Sequence, residues 1–310
     1  MERDLSLDRF RGIAVMLMAL GDNIADAAGF PVFLKHAPDV GFTVADIVAP
    51  LFIFAIAVTY QPSFTRRLAK SKSGAYIHNV YKYLALIGIG TIFSAGGVVV
   101  SRATNWGVLQ AIGMAGLIAL IFVRLPWWVR ALSALGVLIV YQLLLDNFML
   151  SSVLHSGHGG FFGSVSWSAM LILATAMAEL FAKGKKWFLP ATGLLALLAA
   201  GSLFAVPISK NRVSLSYVLA SLAICCAFYF MVDLLSRHIR LKGGIVSWWG
   251  ENPLLLYALH LICMGILQLP LALLGMGMPL WYGIASDAAL FAGLSLIAWT
   301  IHRKHILIKL

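Results

Sequence analysis

Ten apolar runs succeed one another along this chain, near residues 9–27, 43–63, 79–100, 105–123, 127–146, 163–182, 187–206, 214–234, 252–274 and 281–301. Each is close to the roughly 20 residues that an α-helix needs to cross about 30 Å of hydrocarbon. Inside lipid every backbone N–H and C=O must find its partner within the protein, so runs of this kind become helices. The expectation is an all-α polytopic integral membrane protein with about ten transmembrane helices. Composition leaves little room for anything else: of 310 residues, 61% are hydrophobic and 11% charged, where a soluble domain carries about 25% charged residues. The longest polar stretches, 64–78 and 235–247, are too short to bury a core, so residues 1–310 read as a single transmembrane domain.

The basic residues test this layout independently, because Lys and Arg collect in cytoplasmic loops. All but four of the 23 Lys and Arg fall on the two termini and on alternate loops, the exceptions being Lys35, Arg102, Lys210 and Arg212. That asymmetry predicts an even number of spans with the N- and C-termini cytoplasmic. The net charge of +11 then reflects topology and contact with anionic lipid, and nucleic acid is not an expected partner. The first run lacks the small-residue cleavage site of a removable signal and is expected to stay. Cys225, Cys226 and Cys263 lie in apolar runs without a metal-ligand spacing and read as packing residues.

Ionisable groups are scarce in such a chain, so their placement is informative. Charge within a span is costly and tends to face a cavity or a partner. Asp22, Asn23 and Asp26 end the first run at spacings that put them on one helical flank. "LKHAPDVGFTVADIVAPLF" then brings His36 and Asp39 in the first external loop and Asp46 at the start of the second run. A polar nest of Asp22, Asn23, His36 and Asp46 would suit proton transfer, since an imidazole oriented by a carboxylate titrates near neutral pH. The plainer readings are a solvated loop histidine and a carboxylate complementing a helix N-terminus. His155 and His158 in "LHSGHGGFFG" could supply two metal ligands, but a catalytic zinc site usually takes a third, and no metal is expected. A rival class, a proton-coupled transporter or flippase using Asp46, Asp22 and His36, would favour two related halves, and no second copy of the helix 1 to helix 2 pattern is visible in the sequence.

Five stretches, "SLDRFRGIAVMLM", "LKHAPDVGFTVADIVAPLFIF", "GVLQAIG", "ISKNRVSLSYVLAS" and "GENPLLLYALH", occur in that order from residue 6 to about 260. In this the chain resembles the heparan-alpha-glucosaminide N-acetyltransferase family and its bacterial relatives. The resemblance implies a transmembrane acyltransferase of a bacterial inner membrane that takes acetyl from cytosolic acetyl-CoA. The acceptor would be an amino sugar or other glycan on the external or lumenal side, with a second copy of the chain admitted as a partner. The family's active-site histidine lies in its "KHAxxxGxTxAD" segment, which assigns His36 as general base or acetyl carrier and Asp46 as its carboxylate. The family's "DxFRG" motif corresponds to Asp8, Phe10, Arg11 and Gly12, with Asp8 and Arg11 at ion-pair spacing in a supporting role. A helix 1 asparagine of the family maps to Asp22 or Asn23. Gln110, Asn211 and Asn252, from the later blocks, are carried over as cofactor-side residues. Asp39 stands where the family favours an aromatic, Ala111 where it has an arginine, and "KNRVSLSY" lacks a tryptophan, so the acceptor here is expected to differ.

Overall fold

The computed structural model describes residues 4–97, 106–238 and 244–308; Arg102 and the side chain of Asp26 lie outside what it describes. The described residues form helices joined by loops, with no strand among them: α1 (Leu5–Gly21), α2 (Val48–Leu68), α3 (Lys72–Gly97), α4 (Val108–Phe122), α5 (Trp127–Leu144), α6 (Leu150–Leu154), α7 (Gly160–Lys183), α8 (Lys185–Ser202), α9 (Leu215–His238), α10 (Ile245–Glu251), α11 (Pro253–Leu273) and α12 (Leu280–Arg303). A π-helical turn over Leu145–Met149 joins α5 to α6. Each of the ten apolar runs overlaps one long helix. Among the described residues six stretches are long and apolar enough to cross a membrane, namely Val44–Leu68, Trp127–Leu154, Gly157–Lys183, Leu215–His238, Pro253–Leu273 and Leu280–Arg303. The chain is therefore an all-helical integral membrane protein. α1 and α4 fall short by length, with 17 and 15 residues.

Helix α7 is the axis of the bundle, packed on α2, α4, α5, α8 and α9. In its apolar stretch 72% of residues are buried, against 11% for Pro253–Leu273, so α7 is a core helix and α11 presents most of its surface outward. Ser164, Ser166, Ser168, Ala169, Ala174 and Ala176 on α7 are all buried; such small side chains let helix backbones approach closely where lipid supplies no hydrophobic drive. The larger rings fill the space between α1, α2, α7 and α9, with Phe10 centred 5.8 Å from Phe54 and 5.2 Å from Tyr229. Arg130 on α5, fully buried, has its guanidinium paired with Glu179 and hydrogen-bonded to Thr175 on α7, so an ion inside the bundle has its partners in place.

Two of the quoted motifs explain each other. A Cβ on Gly12 would lie 1.8 Å from the Val246 carbonyl oxygen, and one on Gly250 would lie 1.7 Å from that of Asp8. Glycine is thus required on both sides of the α1–α10 crossing, where backbone meets backbone. Gly12→Ala must push the helices apart and is expected to cost about 3 kcal/mol, the upper end of the usual overpacking range, read as a lowered melting temperature in detergent. An unchanged melting temperature would mean that α10 does not seat on α1 this way.

α1 ends at Gly21; Asp22 and Asn23 keep right-handed helical backbone, and Ile24–Asp26 forms a 3-10 turn. The flank expected for Asp22, Asn23 and Asp26 lies in part outside the described residues, because the Asp26 side chain is not described.

Candidate active site

Asp46 organises the site. It is fully buried in a 3-10 turn, Val44–Ile47, that leads into α2. Its Oδ2 accepts hydrogen bonds from the backbone N–H and the hydroxyl of Thr43, both at 3.0 Å, and from Ala37 N–H at 3.4 Å. Its Oδ1 lies 2.8 Å from His36 Nδ1 and 3.7 Å from Lys210 Nζ. The Tyr217 hydroxyl donates to the Asp46 carbonyl at 2.7 Å. One oxygen of Asp46 thus caps the turn that leads into α2, and the other meets the histidine. An ionised carboxylate only accepts, so His36 Nδ1 carries the proton of this bond and Nε2 is left as the basic nitrogen.

Lys210 reaches this carboxylate because two loops are clasped together. Gly41 N–H donates to the Ile208 carbonyl at 2.8 Å, Asp39 accepts from Ser209 Oγ at 3.0 Å and from Arg212 Nε at 2.9 Å, and Asn211 Nδ2 donates to the Pro38 carbonyl. The hydrogen-bonded Arg212 guanidinium is the main cause that holds the Asp39 carboxyl below the ordinary 3.8. A carboxyl depressed on folding stabilises the clasp above the unfolded value and loses that contribution as pH falls through the lower, folded one. Acidification below 3.8 is therefore expected to lower the protection of the Gly41 amide against hydrogen exchange, measured relative to the intrinsic rate at each pH. Asp39→Asn should remove most of that pH dependence; exchange that stays equally acid-sensitive in the variant would assign it to another group.

His36, Asp46, Asp22, His158, Lys210, Gln110 and Gln268 line one cavity of about 820 Å³. His158 holds φ 52°, a conformation costly for a side chain other than glycine, and its carbonyl accepts Trp167 Nε1–H at 3.0 Å. His155 does not join it: it is exposed and its Nδ1 lies 2.6 Å from the Ser151 carbonyl. Among the described residues no three His, Cys, Asp or Glu side chains converge as a metal site would need.

The other expected site residues are dispersed. Asp22 lines the cavity, whereas the adjacent Asn23 is fully buried and donates from Nδ2 to Ser286 Oγ and Asp287 Oδ1, each at 2.8 Å, while accepting from Gln268 Nε2 at 3.2 Å. Both amide hydrogens of Asn23 are thus committed to α12. Asp8 and Arg11 form the expected ion pair, at 3.9 Å. Gln110 accepts Gly107 N–H at 2.7 Å and reaches the cavity wall. Asn211 belongs to the loop clasp. Asn252 is buried and bonded to the backbone of Ile306 and Ile308, which fastens the α10–α11 junction to the segment after α12. His260 is buried as well, outside the cavity wall. Sequence reasoning did not single out Lys210 or Arg212 for the site, although both were exceptions to the positive-inside pattern; a cation on the wrong side was the available signal.

A family model described as heparan-alpha-glucosaminide N-acetyltransferase, catalytic, matches residues 3–158. No curated protein matches the chain. The matched region carries Asp8–Gly12, Asp22, His36, Asp46, Gln110 and His158, and the fold adds Lys210 and Gly250 from beyond it. The chain belongs to the heparan-alpha-glucosaminide N-acetyltransferase catalytic family, a family of membrane acetyltransferases.

Proposed function

We propose that the protein takes an acetyl group from acetyl-CoA on the cytosolic side of a bacterial inner membrane and delivers it to an amino sugar or related amine on the opposite side. Ten spans with both termini cytoplasmic would put His36 on that opposite side. The observation that carries the reading is the His36–Asp46–Lys210 constellation at the wall of a cavity, with His36 and Asp46 in the segment that resembles the family's active-site motif. The thioester carbonyl is already electrophilic, and the acceptor nitrogen needs a free lone pair. His36 Nε2 takes a proton from that nitrogen as general base, and Asp46 holds the ring in the tautomer that leaves Nε2 basic. A covalent route would use the same nitrogen as nucleophile and carry acetyl on His36; trapping acetyl-histidine or finding ping-pong kinetics would select it. With the Asn23 amide committed to α12, a backbone N–H is the better candidate to meet the developing oxyanion.

The deciding assay offers purified protein labelled acetyl-CoA and a panel of amines, with His36→Ala as control. Labelled product that depends on His36 supports the reading; no product and no His36-dependent CoA release would sink it. Lys210 has a separable part, since its ammonium offsets the Asp46 charge that otherwise bears on the imidazole. Lys210→Met is expected to shift the acid limb of the pH–rate profile to higher pH, with Lys210→Arg restoring it. An unshifted limb in Lys210→Met would leave Lys210 a purely structural cation.

A further inference from the structure

Along α3 and α11 the cavity lining is mostly apolar, with Ser94 and Gln268 among its polar members there. This lining includes Ile92 on α3 and Ile262, Ile266 and Leu269 on α11. These side chains are 71%, 49%, 64% and 37% exposed on the outside of the bundle. A residue can line a cavity and also face outward only at the rim of an opening. Helix α3 packs on α2 and α4, and α11 on α1, α10 and α12; among the described residues the two are not packed on each other to a comparable extent. With α3 and α11 both spanning the bilayer, as the ten-span topology proposed above has it, the space outside that rim is hydrocarbon.

We propose that the cavity opens sideways into the bilayer between α3 and α11 and takes a lipid-borne acceptor, with a primary-amine headgroup at His36 and a hydrocarbon chain leaving past Ile92 and Ile266. This rests on the acetyltransferase reading and names the physical class of its acceptor. The headgroup chemistry follows from Asp22. Asp22 lines the cavity; its charge bears on His260, Tyr257 and Asp287, but among the described residues no hydrogen bond or ion pair holds it, which leaves it available to an ammonium. Burial of the chain among isoleucines need not be driven by water, because the chain never leaves lipid; the opening lets the headgroup reach the base without lifting the tail from the membrane. The ammonium first loses one proton to solvent. The amine nitrogen then attacks the thioester carbonyl, the N–C bond forms and the C–S bond breaks. The nitrogen's second proton passes through His36 to the departing CoA thiolate, giving an amide and CoA thiol.

The test uses the full chain in nanodiscs of phosphatidylcholine with a minor fraction of phosphatidylethanolamine as the amine probe, and soluble glycerophosphoethanolamine as the tail-less comparison. Label from acetyl-CoA is expected in the lipid amine at least about tenfold faster than in the soluble one. The rim-filling pair Ile92→Trp/Ile266→Trp should abolish that preference, lowering the rate with the lipid amine at least about tenfold relative to the soluble one. Equal rates for the two amines, or a preference unchanged by the tryptophans, would overturn the proposal. If neither amine is acetylated, the acetyltransferase reading fails for this headgroup, and retention decides the lipid site separately. Inactive His36→Ala protein should then co-purify with phosphatidylethanolamine in excess over phosphatidylcholine, and retain less of it once the rim is filled. Retention in proportion to the bilayer composition would refute the site.

Discussion

Replacing His36 by alanine is expected to lower acetyl transfer by about 10²- to 10⁴-fold, the usual range for loss of a positioned general base, with little change in melting temperature. The His36 side chain is 42% exposed and its recorded hydrogen bond is the one to Asp46, so removing it opens no core cavity. Lost activity with retained stability separates a chemical role from a structural one. If the alanine variant turned over at the wild-type rate across the pH range, neither the base nor the carrier mechanism would survive.

Asp46→Asn should be nearly as damaging to activity and should also cost stability. An asparagine can keep the Thr43 contact with its carbonyl oxygen, but it then turns an NH2 group toward His36 Nδ1 and the Lys210 ammonium. His36 must offer Nδ1 as acceptor, which moves the ring proton to Nε2 and removes the base; a wrong tautomer of this kind costs up to about 10⁴ in rate where it has been isolated. The Lys210 ammonium meanwhile loses the carboxylate it faces at 3.7 Å. Loss of that charged partner is expected to cost about 1.5–3 kcal/mol, read as the fall in melting temperature. Asp46→Asn combined with Lys210→Met should recover much of the stability and none of the activity. Recovery of activity in the double variant would show that the carboxylate does not orient the imidazole.

The contrast between Asp39 and Asp46 shows how far a local pattern can be read. Both are carboxylates in one short loop, and the sequence alone ranked Asp46 higher because it borders an apolar run. The cap on Thr43 is a three-residue relationship and could be foreseen. The Asp39–Arg212 pair spans 173 residues and joins segments that no periodicity links. Asn23 and Asp22 are adjacent, yet one faces α12 and the other the cavity, as neighbouring side chains on right-handed helical backbone point different ways.

The amino-acid sequence by itself determined the class of this protein and the positions of its long helices. Twenty-residue apolar runs have no other way to satisfy their backbones in lipid, and the His36 segment resembles a family motif closely enough to pick out the histidine and its carboxylate. Only the tertiary structure decided what stands around them. It delivered Lys210 to Asp46 by clasping two distant loops, seated Gly250 against Asp8, and turned Asn23 away from the cavity. Each of these depends on how helices pack across long sequence separations, where the energies come from side-chain complementarity that spacing along the chain does not encode.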